Sequence, residues 1–87
     1  VVRRLMRGRL RRGKKEEAIL AVWEDVVGAA RAAQLRPLRF RGGVLWVGVE
    51  SPALLYEVSQ FERGGILAGL QERCSDLGIE DVRFRLA

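Results

Sequence analysis

Sixteen arginine and lysine side chains carry most of the chemistry this chain offers, and they are unevenly placed. Arg3, Arg4, Arg7, Arg9, Arg11, Arg12, Lys14 and Lys15 put eight positive charges into residues 1–15 with no acid among them. The remaining residues hold eight basic and eleven acidic side chains, a net of −3. A basic arm on a mildly acidic body suits contact with a polyanion, because each lysine or arginine placed on a phosphate releases condensed counterions. Without such a partner the same run is a solubility tail. The sequence leaves both readings open.

A second set of cations lies on alternating segments. Arg39 and Arg41 precede Gly42-Gly43, Trp46 follows it, and Arg83 and Arg85 alternate with Val82, Phe84 and Leu86 near the end of the chain. Two glycines between two alternating runs predict a tight hairpin, since both central residues of the favoured turn need positive φ. That register sets Arg41 opposite Val44, Phe40 opposite Leu45, Arg39 opposite Trp46 and Leu38 opposite Val47. One face then carries Leu38, Phe40, Leu45, Val47 and Val49 as a core face. The other carries Arg39, Arg41, Val44, Trp46 and Gly48. Trp46 facing Arg39 would make a cation–π pair or a platform on which bases stack. The plain alternative is a solvated face whose arginines cover a tryptophan, or a tryptophan that anchors a protein partner.

Other chemistry lacks its residues. The chain has no histidine and a single cysteine, Cys74, which excludes an intrachain disulfide and offers neither zinc-ligand spacing nor a Cys-His or Ser-His pair. Cys74 sits on an apolar helical stripe and reads as a small core residue. Glu16-Glu17, Glu24-Asp25 and Glu80-Asp81 are sequence neighbours. Neighbours diverge on a helix and oppose on a strand, so no pair forms a convergent carboxylate site by itself. Gly42-Gly43 lacks the Lys and Ser/Thr of a phosphate loop. The expectation is a non-enzyme without metal or cofactor. No apolar run approaches the roughly 20 residues of a membrane helix, and a lone cysteine fits a reducing, cytoplasmic setting. The chain starts at Val1 rather than Met, which suits a piece of a longer protein.

The elements that must position these residues follow from periodicity. Val2, Leu5, Met6 and Leu10 have helical spacing, but Gly8 and Gly13 weaken it, so the arm reads as a weak helix or a segment that orders on binding. Ile19, Val22, Trp23, Val26, Val27 and Ala30 form one stripe of an amphipathic helix over residues 15–34, with Trp23 as its anchor. The residue before Pro37 ends that helix by about Leu35. Ser51-Pro52 reads as N-cap and first position of a new helix whose inner face is Leu54, Leu55, Val58 and Phe61. A joint at Gly64-Gly65 is expected before Ile66, Leu67, Leu70, Cys74 and Leu77 resume the spacing. Gly78 closes that helix, and Ile79, Val82, Phe84 and Leu86 make a third strand. The order predicts an α+β domain with a three-stranded sheet and helices packed on one face. Residues 1–15 form the arm and 16–87 the domain.

Several stretches together resemble the DciA family of bacterial proteins, regarded as loaders or operators of the replicative DNA helicase. They are A-V-W-E-D-V-V-G (21–28), R-P-L-R-F-R-G-G-V-L-W-V-G-V (36–49), S-P-A-L-L-Y-E-V (51–58) and V-R-F-R (82–85). Family members carry a Trp and then Val-Gly on the first helix, here Trp23, Val27 and Gly28. A Gly-containing turn and a Leu-x-Val strand follow, here Gly42, Leu45 and Val47. Ser51, Ala53 and Glu57 match the family's Ser-x-Ala stretch with its following Glu. The family's N-terminal domain is similar to a type II KH fold, with the order α-β-β-α-α-β. Here Leu54 stands where the family usually has a Trp, and the helix joint reads E-R-G-G-I rather than the KH G-x-x-G.

The resemblance implies a non-enzymatic DNA-replication accessory protein. Such a protein contacts the replicative helicase and single-stranded or forked DNA, and works in the cytoplasm at the nucleoid. The expected nucleic-acid-binding residues are the eight arm cations with Arg39, Arg41, Trp46, Arg83 and Arg85. No membrane or small-molecule partner is expected. The second reading is a stand-alone KH-like RNA-binding module, and the third is a protein-interaction domain tethered by its arm.

Overall fold

The computed structural model describes residues 13–87. Arg3, Arg4, Arg7, Arg9, Arg11 and Arg12, and the helical spacing around Leu5 and Leu10, lie outside the described residues. The chain runs through α1 (Lys14–Val27), α2 (Ala29–Ala32), β1 (Leu35–Arg41), β2 (Val44–Val49) and α3 (Pro52–Glu57). A π-helical turn (Val58–Glu62), α4 (Arg63–Arg73), a 3-10 turn (Ser75–Leu77) and β3 (Asp81–Leu86) complete it. It is an α+β domain with a three-stranded mixed sheet in the order β1-β2-β3, consistent with a KH-like fold.

Helix α1 buries Ile19 and Trp23, with Val22, Val26 and Val27 packed around them. Lys14 and Lys15, grouped with the arm on charge alone, form its first turn. The helix expected over 15–34 is broken at Gly28, whose φ of 91° is outside helical geometry. The chain restarts as the single turn α2, and Ala30 is exposed instead of continuing the apolar stripe.

The turn between β1 and β2 is the expected one, with Gly42 and Gly43 both at positive φ. Gly43 also receives the next element. Its carbonyl accepts from the backbone N–H of Glu80 at 2.7 Å and of Asp81 at 3.2 Å, which fixes the start of β3. Strands β1 and β2 are antiparallel, and β3 lies parallel to β2 after the helical crossover.

The expected register holds from Arg41 to Arg39 and then slips. Arg39 pairs with Trp46, but Val47 pairs with Pro37, leaving Leu38 as an extra residue in a bulge. One extra residue exchanges the two faces beyond it. Leu38 therefore leaves the core face and covers Gly48 from the outward side. Its methyl carbons would lie 3.3 and 3.5 Å from a Cβ on that glycine, and Ala87 would lie 3.0 Å away. Arg36 now pairs with Gly48 and joins the outward face. Pro37, which has no N–H, sits on an edge strand, where a ladder donor is dispensable. The edge is partly closed by Glu16, whose carboxylate accepts from the Phe40 N–H at 3.2 Å.

Ser51 caps α3 as expected, its hydroxyl accepting from the Leu54 N–H at 3.1 Å, with Pro52 at the first position. No joint follows at Gly64-Gly65, because both glycines lie inside α4 and the helical run is continuous from Pro52 to Arg73. The irregularity is the π turn one turn earlier. At about 100° per residue, a plain α-helix would set Ile66 and Leu70 roughly 80° and 120° around the axis from Val58. The π turn absorbs about one extra residue and brings the three back into line. Val58, Ile66 and Leu70 are indeed all buried. The same turn carries Phe61 off the inner face where its spacing had placed it, leaving it 75% exposed.

Ile19, Trp23, Leu35, Leu45, Val47, Val49, Val58, Ile66, Leu70, Cys74, Ile79 and Val82 form one buried cluster between the helices and the inner sheet face. Gly78 closes the helical half in left-handed geometry, at φ 68°.

Candidate nucleic-acid interface

Strand pairing arranges the outward face in three cross-strand rows. Arg39, Trp46 and Arg83 form the middle row; Arg36, Gly48 and Arg85 form one flank; Arg41, Val44 and Asp81 form the other. Arg39, Arg41, Trp46, Arg83 and Arg85 therefore share one surface. Arg36 is the member that sequence reasoning missed, because only the bulge at Leu38 turns it outward. The proline one residue after it gave no sign of this, because an edge strand accepts proline with or without a bulge.

Trp46 is half-buried, while Arg36, Arg39, Arg41, Arg83 and Arg85 are exposed. The Arg39–Trp46 cation–π pair is absent among the described residues. The contact of that kind is made instead by Lys15, whose Nζ lies 6.0 Å from the centre of the Phe40 ring. With Glu16 on the Phe40 N–H, this places Lys14 and Lys15 beside the free edge of β1. Among the described residues, Arg36, Arg39, Arg41 and Arg85 make no ion pair, so their charge is not neutralised within the domain.

Asp81, one of two adjacent acids, organises the β3 edge. Arg63, from the start of α4, donates to it through Nη2 at 2.6 Å and Nε at 3.2 Å, and Arg83 donates through Nε at 3.1 Å. The Arg63 bonds chiefly, aided by Arg83 and the Val82 N–H, hold the Asp81 carboxyl below its usual range. One carboxylate shared by two guanidiniums leaves this corner positive.

A second ionic cluster lies on the helical side. Arg31 of α2 donates to Glu62 at 2.5 and 3.0 Å, to Glu57 at 3.2 Å and to Gln34 at 2.8 Å. The Glu62 hydrogen bond is the main cause of its raised pKa. Cys74 is buried, and burial foremost, with Asp76, pushes its thiol pKa up and keeps it protonated at neutral pH. Among the described residues no group of His, Cys, Asp and Glu is placed to hold a metal ion. No described helix is long and apolar enough to cross a membrane.

A basic sheet face opposite a helix-covered one makes this a small KH-like domain, but one without the KH clamp. The residues that would form a G-x-x-G loop are helical here. A family model described as "Dna[CI] antecedent, DciA" matches residues 1–84, essentially the whole chain, so the chain belongs to the DciA family. That membership points to a helicase-loader-like role in DNA replication, within a family of non-enzymatic proteins. No curated protein matches the chain.

Proposed function

We propose that this chain is a non-enzymatic accessory of DNA replication that holds single-stranded or forked DNA while contacting the replicative helicase. It works in the cytoplasm at the nucleoid. The basic arm, Arg3 to Lys15, collects phosphates. The outward sheet face adds Arg36, Arg39, Arg41, Arg83 and Arg85, with Trp46 as the surface on which a base stacks. Family membership supports the helicase partner. The observation that carries the nucleic-acid part is the row Arg39–Trp46–Arg83, an aromatic flanked across both neighbouring strands by guanidiniums. Single strands favour such a row because an unpaired base exposes its π face and its phosphates flank it.

Titration of labelled single-stranded, forked and duplex DNA at several salt concentrations tests this reading. Affinity should be highest for the single-stranded and forked forms, and Trp46→Ala should weaken it by roughly 1–3 kcal/mol. Tighter binding to an RNA of matched length would favour a KH-like RNA-binding module instead. Unchanged affinity for every strand in Trp46→Ala would remove the base-stacking role.

A further inference from the structure

Strand β3 is the second edge of the sheet, and its outward backbone is only half covered. The Ala87 N–H donates to the Val49 carbonyl at 3.0 Å, so odd-numbered residues of β3 turn their backbone groups toward β2. Even-numbered residues face away. The first of them, Val82, is satisfied: its carbonyl accepts from Arg63 Nε at 2.9 Å and its N–H donates to Asp81 at 2.9 Å. Among the described residues nothing comparable reaches the backbone of Phe84 or Leu86. An edge with open donors and acceptors is a template for another strand.

Beside that edge lies an open groove of about 360 Å³, lined by Ser59, Gln60, Arg63, Arg83 and Phe84. The π turn that forms its helical wall also displays aromatic surface. Tyr56 and Phe61, five residues apart, meet edge-to-face at 6.4 Å between ring centres and are 63% and 75% exposed. Five-residue spacing brings side chains together on a π turn, not on an α turn. The flank toward the outward face is cationic, with Arg83 and Arg85 alternating along the strand and Arg63 at its start.

We infer that the open edge of β3 is the docking site for the partner protein, which adds an extended segment as a fourth strand. The segment's outward side chains are acidic, against Arg83 and Arg85. Its inward ones are apolar, against Phe84 in the groove, and the segment reaches past Ser59 and Gln60 to the exposed Phe61 of the same π turn. Charge selects this occupant: an added strand places alternate side chains on the two faces, and here one side is cationic while the other meets Phe84 between the polar wall residues Ser59 and Gln60. The inference rests on the proposed helicase contact and assigns it to the sheet edge and its helical flank, which meet the face given to DNA at Arg83 and Arg85.

Backbone amide exchange of the full chain, with and without the purified cognate helicase, tests it directly. Helicase should slow exchange at Phe84 and Leu86 by at least about tenfold while leaving the amides of β2 unchanged, since those are already paired. Phe61→Ser, at an exposed position, should weaken helicase binding about tenfold and leave single-stranded DNA affinity intact. Leu86→Pro removes an outward N–H without breaking the β2 ladder and should act likewise. Trp46→Ala should show the opposite pattern. Helicase binding with unprotected edge amides and unchanged affinity in Phe61→Ser would overturn the docking site while leaving the proposed function standing. Protection by DNA alone would overturn it in favour of a nucleic-acid groove. Protection in the free chain that vanishes when residues 1–12 are removed would mean the chain closes its own edge, which also overturns it. No helicase binding by the unaltered protein would defeat the proposed function itself.

Discussion

The indole N–H of Trp23 donates to the carbonyl of Leu35 at 3.0 Å, tying the middle of α1 to the first residue of β1. Both residues are buried, so the bond satisfies a strand carbonyl that water does not reach. Trp23 thus joins helix and sheet both by volume and by direction.

Trp23→Ala should cost about 3–5 kcal/mol, a large share of the roughly 4–13 kcal/mol expected for a domain of this length. Trp23→Phe keeps much of the volume but orphans the Leu35 carbonyl, and should cost about 1–3 kcal/mol. Denaturant melts of the two variants check the ordering. A Trp23→Phe variant as stable as the parent would mean the hydrogen bond contributes nothing.

Gly43→Val should destabilise more than Gly42→Val. Both positions have positive φ, which costs a branched residue roughly 1–2 kcal/mol. At Gly43 a Cβ would also sit 3.1 Å from the Glu80 side chain and 3.2 Å from the Gly78 carbonyl, whereas Gly42 faces open space. Equal melting points for the two variants would show that β3 yields to the added carbon.

Acid should loosen the β3 corner. Asp81 has a depressed carboxyl pKa in the folded chain, so its contribution is fully present above the unfolded value, near 3.9, and is lost as pH falls through the folded one. Asp81→Asn should lower stability at neutral pH and flatten the acid limb of the stability curve below about pH 4. Parallel curves for the two proteins across that range would refute this.

Removing residues 1–12 deletes six arm cations but leaves Gly13, whose carbonyl accepts from the Glu17 N–H in the first turn of α1. The domain should stay folded. Its single-strand affinity should fall, with the salt dependence flattened by about 0.7 per lost phosphate contact. Trp46→Ala removes no charge and should leave the slope nearly unchanged. An unaltered affinity and slope in the shortened chain would reduce the arm to a solubility tail.

Periodicity made the element order, the Gly42-Gly43 hairpin, the Ser51 cap and the core role of Trp23 legible in the sequence, because each depends on neighbours within a few positions. The bulge at Leu38 was not legible, since Pro37 fits an edge strand with or without a slip; that one residue decided the face of Arg36. The π turn was equally hidden. Val58 and Phe61 have good helical spacing, and only packing of Ile66 and Leu70 against the sheet selects the wider turn. Asp81 gained its main partner, Arg63, from α4, eighteen residues earlier in the chain, a distance no local pattern spans.

The π turn also separates chain length from core phase. Anywhere else in α3 or α4, one residue gained or lost would rotate all that follows by about 100° and turn an apolar stripe away from the sheet. Between Val58 and Glu62 a single residue can be removed, and an ordinary α turn then joins the same two stripes in the same alignment. What disappears is the protruding Phe61 and its contact with Tyr56. A gap-free alignment of this helix with a relative that lacks the turn would therefore set surface residues against core residues on one side of it. The error would be one position wide and about 100° deep.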